Sequence, residues 1–136
     1  MRCKSLTAAM ACAALLVTAA PGHAQTKSVS MALKGGESNE VSDLYYVVAC
    51  RSIMTAPPQA TILSGPPEVT VEVKEASVTP RVQQCARPVK GAKLILKAGD
   101  VQDESETTIT VRVNYTTKDG PRAFSYKIDL SLFPAQ

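Results

Sequence analysis

Thr107-Thr108-Ile109-Thr110-Val111-Arg112-Val113-Asn114-Tyr115-Thr116-Thr117, then Lys118-Asp119-Gly120-Pro121-Arg122-Ala123, then Phe124-Ser125-Tyr126-Lys127-Ile128-Asp129-Leu130-Ser131-Leu132-Phe133: the reading of this stretch decides the fold. In the first arm Ile109, Val111, Val113 and Tyr115 alternate with polar residues. In the second, Phe124, Tyr126, Ile128, Leu130 and Leu132 do the same. A period of two sends one set of side chains to a core and the other to water, so each arm is a half-buried strand. Asp119-Gly120 between them is a turn dipeptide, because glycine tolerates positive φ. A turn centred there opposes Ile109 to Leu130, Val111 to Ile128, Val113 to Tyr126 and Tyr115 to Phe124. Pro121 has no amide hydrogen to close a two-residue loop, which favours a four-residue loop, Lys118 to Pro121, in the same register. A slip of one residue would set core against solvent positions.

The N-terminal segment belongs to a different regime. Arg2 and Lys4 precede a small and apolar run, Leu6 to Ala20, and Gly22 and Ala24 supply the small residues of a cleavage site. This predicts a secretory signal peptide, residues 1–24, cut between Ala24 and Gln25. The run is too short to span a bilayer, and Ala9-Met10-Ala11 is a poor approach to Cys12 for a lipid anchor. Cleavage would remove Cys3, Cys12 and His23, the sole histidine. Removing Arg2 and Lys4 from the 15 basic residues leaves 13 against 12 acidic ones, a net charge of +1. No electrostatic case for nucleic acid survives that subtraction.

The expected mature chain is one domain, residues 25–134, with a short tail at 135–136. Its two cysteines, Cys50 and Cys85, are expected to form a disulfide in an oxidising compartment. Two separate buried thiols are the alternative.

Along the chain, Val29, Met31 and Leu33 mark a first strand, ended by Gly35-Gly36. Val41 to Cys50 is apolar on both faces towards its end, which predicts a central strand covered on both sides. The pairs Pro57-Pro58 and Pro66-Pro67 belong to loops or edges, since proline cannot donate to a ladder. Gln59 to Ser64 between them is at most a short strand. Glu68 to Lys74 is a secure strand with three valines on one face, and Arg81 to Cys85 reads as a short one. Ala92, Leu94, Leu96 and Ala98 give another, with Lys90, Lys93 and Lys97 suggesting a charged edge. About seven strands, with turn signals roughly every ten residues, predict an all-β, immunoglobulin-like antiparallel two-sheet sandwich with one disulfide.

Ala49-Cys50-Arg51-Ser52, Gly65-Pro66-Pro67-Glu68-Val69-Thr70-Val71, the Cys85 segment and Leu130-Ser131-Leu132-Phe133-Pro134 resemble small exported β-sandwich proteins of Gram-negative soil bacteria. The resemblance spans nearly all of the expected mature chain. Its motifs are cysteine and turn positions. It therefore implies shape and export, and it supplies no assigned activity or catalytic residue.

Chemistry is bounded by what the expected mature chain lacks. Without histidine no Ser-His-Asp or Cys-His nucleophile can be built, and imidazole sites for zinc or copper go with it. A bridged Cys50 and Cys85 offer no thiolate. The sole acidic cluster, Asp100, Asp103, Glu104 and Glu106, is a weak candidate for calcium, since hard cations favour loop oxygens. Its spacing misses the EF-hand pattern, and a solvated loop is the plainer reading. Arg51 could meet an anion at a sheet end. Neither a catalytic residue nor a cofactor is called for. The reading that follows is an exported, non-enzymatic module of the periplasm or exterior that binds a protein or an envelope polymer, or serves as a structural accessory. An enzyme or calcium-binding protein working through the 100–106 carboxylates is the alternative.

Overall fold

The structure is a computed structural model and describes residues 25–135; the expected signal peptide, Ala24 at its cleavage site and the final residue lie outside them. Nine strands follow in order: β1 (Thr26–Lys34), β2 (Ser38–Leu44), β3 (Val47–Val48), β4 (Arg51–Ser52), β5 (Gln59–Ser64), β6 (Val69–Val78), β7 (Val89–Ala98), β8 (Ser105–Thr117) and β9 (Gly120–Phe133). There is no helix among the described residues. One sheet has the order β1-β9-β8-β5, the second has the order β2-β7-β6, and β3 and β4 form a separate ribbon. Seven strands thus build an immunoglobulin-like sandwich, and the ribbon raises the total from the expected seven to nine.

Alternation explains the core. Ile109, Val111, Val113 and Tyr115 of β8 and Tyr126, Ile128, Leu130 and Leu132 of β9 are buried. So are Ala92, Leu94, Leu96 and Ala98 of β7. Leu33 and Leu44 join them from β1 and β2. At Gly91 the strands come closer than a side chain allows: a Cβ there would lie 2.5 Å from the Leu44 carbonyl oxygen.

Five expectations need correction. The hairpin turns one residue earlier than the Asp-Gly centring predicts, around Lys118-Asp119, which shifts each partner by two. Thr117 pairs with Gly120, so Ile109 faces Ile128, Val111 faces Tyr126 and Val113 faces Phe124. The reason is local. The Thr117 hydroxyl donates to the Gly120 carbonyl at 2.7 Å and accepts from the Asp119 amide at 3.2 Å, and Gly120 carries the positive φ of 104°. Pro121 then pairs with Thr116, next to the closing pair. There an antiparallel ladder exchanges no hydrogen bonds, so the missing amide costs nothing.

The sandwich is not wholly antiparallel, because β1 runs parallel to β9. No hairpin joins the first strand to the last, so nothing forces them to run in opposite directions.

Val41 to Cys50 is not a central strand. The chain follows β2 at the edge of its sheet to Leu44, then leaves it, and Ala49-Cys50 forms the loop of the β3–β4 ribbon with φ of 50° and 60°. Its apolar residues serve separate places: Leu44 enters the core, while Val48 stays exposed. Arg81 to Cys85 is likewise a turn, with Gln83 and Gln84 at φ 54° and 53° and the Cys85 amide donating to the Val82 carbonyl at 3.2 Å.

The lysines of β7 guard no edge, since β7 is the middle strand of its sheet. The disulfide forms between Cys50 and Cys85, with Cα atoms 5.4 Å apart. It ties together the two turns that hold all the non-glycine residues of positive φ among the described residues.

Candidate functional site

The sequence holds four tyrosines and two phenylalanines, and the fold carries all four tyrosines and Phe124 to one end of the sandwich. Tyr115 arrives on the inner face of β8 near its last residue. Phe124 and Tyr126 arrive on the facing positions of β9 just past the turn. Tyr45 and Tyr46 come from where the chain leaves β2. The two groups meet across the gap between the sheets, where Tyr46 and Tyr115 have ring centroids 5.7 Å apart. Phe124 and Tyr126 lie 5.1 Å apart, also tilted.

Together with Gln25, Lys27, Ser42, Asp43, Val82, Arg122 and Ala123, these rings line an open cleft of about 510 Å³. A second hollow of about 400 Å³ shares Lys27, Ser42, Asp43 and Tyr45 and adds Glu40, Val41, Arg81 and Lys93. The two form one trough. Tyr115 and Tyr126 are its buried floor, while Tyr45, Tyr46 and Phe124 remain half-exposed. The Tyr126 hydroxyl donates to the Ser42 hydroxyl at 3.4 Å. The Tyr45 hydroxyl accepts the Arg81 amide at 3.1 Å and so anchors the disulfide-bearing turn to the trough.

Charge is arranged unevenly around it. Lys93 lies 3.0 Å from Glu40 and 3.3 Å from Asp43, and the hydrogen bond with Glu40, then that with Asp43, raises the pKa of its ammonium group. These are the only ion pairs among the described residues, so both carboxylates of the trough are engaged while Lys27, Arg81 and Arg122 have no acidic partner. Burial pushes the Tyr115 phenol above its ordinary range. Burial also raises Tyr126, with the Ser42 hydrogen bond acting in the opposite direction.

Those two phenols predict alkaline sensitivity. Below about pH 10 they are neutral in folded and unfolded chains alike, and their contribution is fully present. As pH rises past the unfolded phenol value, the unfolded chain ionises first and holds fewer protons, so stability falls. Urea melts should show a loss of up to about 1.4 kcal/mol per pH unit for each such phenol above pH 10. Tyr115→Phe should flatten that slope, and an unchanged slope would contradict the buried floor.

The residues singled out from sequence lie elsewhere. Asp100, Asp103, Glu104 and Glu106 sit at the β7–β8 connection and the start of β8, at the other end of that strand from the trough: Glu106 is nine residues before Tyr115, about 30 Å at strand rise. All four are exposed, and Asp100 accepts a hydrogen bond from the Gln102 amide at 2.9 Å. No three His, Cys, Asp or Glu side chains converge as a metal-ligand group among the described residues. Arg51 is exposed on the ribbon opposite Val48. The cleft itself escaped sequence reading. Its visible signal was aromatic residues on both sides of one turn, Tyr115 before it and Phe124 and Tyr126 after.

No family model matches the chain, and no curated protein matches it. Among solved structures, the cadherin-like domains 1 to 4 of zebrafish RET are similar at 16% identity and a TM-score of 0.46, covering 82% of this chain and 25% of that one. The chain therefore spans about a quarter of the length of that structure. No helix among the described residues is long and apolar enough to cross a membrane.

Proposed function

We propose that this chain is an exported, non-enzymatic binding module that holds a protein or an envelope polymer of the periplasm or cell exterior in its aromatic trough. The observation that carries the reading is the gathering of all four tyrosines and Phe124 in one open cleft. Aromatic residues placed in a core supply area. Half-exposed rings beside uncommitted polar groups supply a recognition surface, because a tyrosine offers an apolar face and a polar tip together. The Cys50–Cys85 bridge supports export, since such bonds persist in oxidising compartments. The absence of histidine beyond His23 removes imidazole from any chemistry after cleavage, and both remaining cysteines are bridged.

The test compares the protein, purified after full-length expression, with its Tyr46→Ala/Phe124→Ala variant in sedimentation with washed cell envelopes. The parent should be retained and the variant released at least tenfold more readily, with both giving cooperative melts. Equal retention, or none for either, would overturn the reading.

A further inference from the structure

We infer that the ligand of this trough is an anionic glycan segment bearing carboxylates, a deepening that rests on the binding reading above. Charge comes first. Glu40 and Asp43 both face Lys93, which leaves three cations, Lys27, Arg81 and Arg122, around the trough without a carboxylate. A ligand entering here meets a positive surface, and guanidinium and ammonium groups bind carboxylates through charge-assisted hydrogen bonds. Ring faces come second. Tyr45, Tyr46 and Phe124 are half-exposed, so they can stack on the apolar face of a sugar while the phenols reach its hydroxyls.

Shape comes third. Two hollows of about 510 and 400 Å³ share four lining residues and are open to solvent. The form suits a run of linked units better than one enclosed small molecule. An acidic peptide fits less well. A peptide gains most by adding as a strand along a free sheet edge. The trough meets β1 only at its start, around Gln25 and Lys27, and the free edge it does follow, β2 from Glu40 to Asp43, carries two carboxylates that repel an acidic strand laid against it.

The experiment is calorimetric titration of the full protein with an oligogalacturonate, a neutral malto-oligosaccharide and an oligoglutamate. The oligogalacturonate should bind, and at least tenfold more weakly when salt rises from about 0.05 to about 0.5 M. Lys27→Gln/Arg122→Gln changes exposed residues and should weaken it at least tenfold without altering the melt. Tyr46→Leu should weaken it at constant charge. Neutral sugar binding equally well would overturn the role of the cations, and oligoglutamate binding better would assign the site to peptide. Retention on envelopes without oligogalacturonate binding would overturn the glycan while sparing the binding module. Loss of both would end the two together.

Discussion

Val111→Asp should abolish folding, whereas Arg112→Asp, one residue away, should leave a cooperative melt within about 1 kcal/mol of the parent. Val111 is fully buried, between Ile62 of β5 and Tyr126 of β9. A carboxylate at that place has no cation and no water. It must stay ionised at a cost of several kcal/mol, or take up a proton at a comparable one, and the packed methyl groups are lost as well. Domains of this size hold about 5–15 kcal/mol in total, so a single such burial consumes most or all of it. Arg112 lies between Thr61 and Ser125 in the same sheet with its side chain in solvent. There an aspartate loses only strand preference, a fraction of about 1 kcal/mol. Thermal melts followed by circular dichroism separate the two. A cooperative Val111→Asp transition within about 5 °C of the parent would contradict the packing of the first sheet.

Replacing both bridged cysteines with serine should cost about 2–4 kcal/mol. The bond closes a loop with a sequence separation of 35, and releasing that constraint in the unfolded chain is worth about 4 kcal/mol in the chain-entropy treatment. Some of this returns. Ala49, Cys50, Gln83 and Gln84 are all held in left-handed conformation, which costs a residue with a Cβ about 1–2 kcal/mol, and the freed turns can relax. The urea midpoint should fall by about 1–2 M, with a somewhat steeper slope because the unbridged unfolded chain exposes more surface. Reduction of the parent should reproduce the shift, and a midpoint indifferent to both would show that the bridge carries no stability. Arg81 and Val82, which line the trough, sit on the released turn, so ligand retention should weaken in the same variant.

The hairpin shows how far the sequence could be read. Alternation in Ile109 to Tyr115 and Phe124 to Leu132 assigned the faces, because a period of two leaves no other solution with a dry core. It could not assign the register, since a shift of two residues keeps every apolar position on its face. That choice fell to Thr117, whose hydroxyl closes a turn around Lys118-Asp119. The same degeneracy misled the reading of Val41 to Cys50. An apolar run can mean a strand covered on both sides, or a chain crossing from core to cleft to surface, and the side chains alone do not say which. The trough was hidden for a related reason. Tyr45 and Tyr46 meet Tyr115 only because the chain leaves its sheet at Leu44, and that departure is a tertiary event. The carboxylates of 100–106 stood out in sequence because they are adjacent there, and an exposed loop has nothing to draw them around a common point.

The parallel seam between β1 and β9 has a mechanical consequence. Nine residues from Thr26 to Lys34 lie alongside Ser125 to Phe133, both strands heading the same way, so Thr26 and Phe133 emerge at opposite poles of the domain. A pull along the chain would strain that seam in shear, like a lap joint, sharing the load among all its bonds instead of peeling them singly. Tension would reach β2 and the second sheet only after that joint had given way.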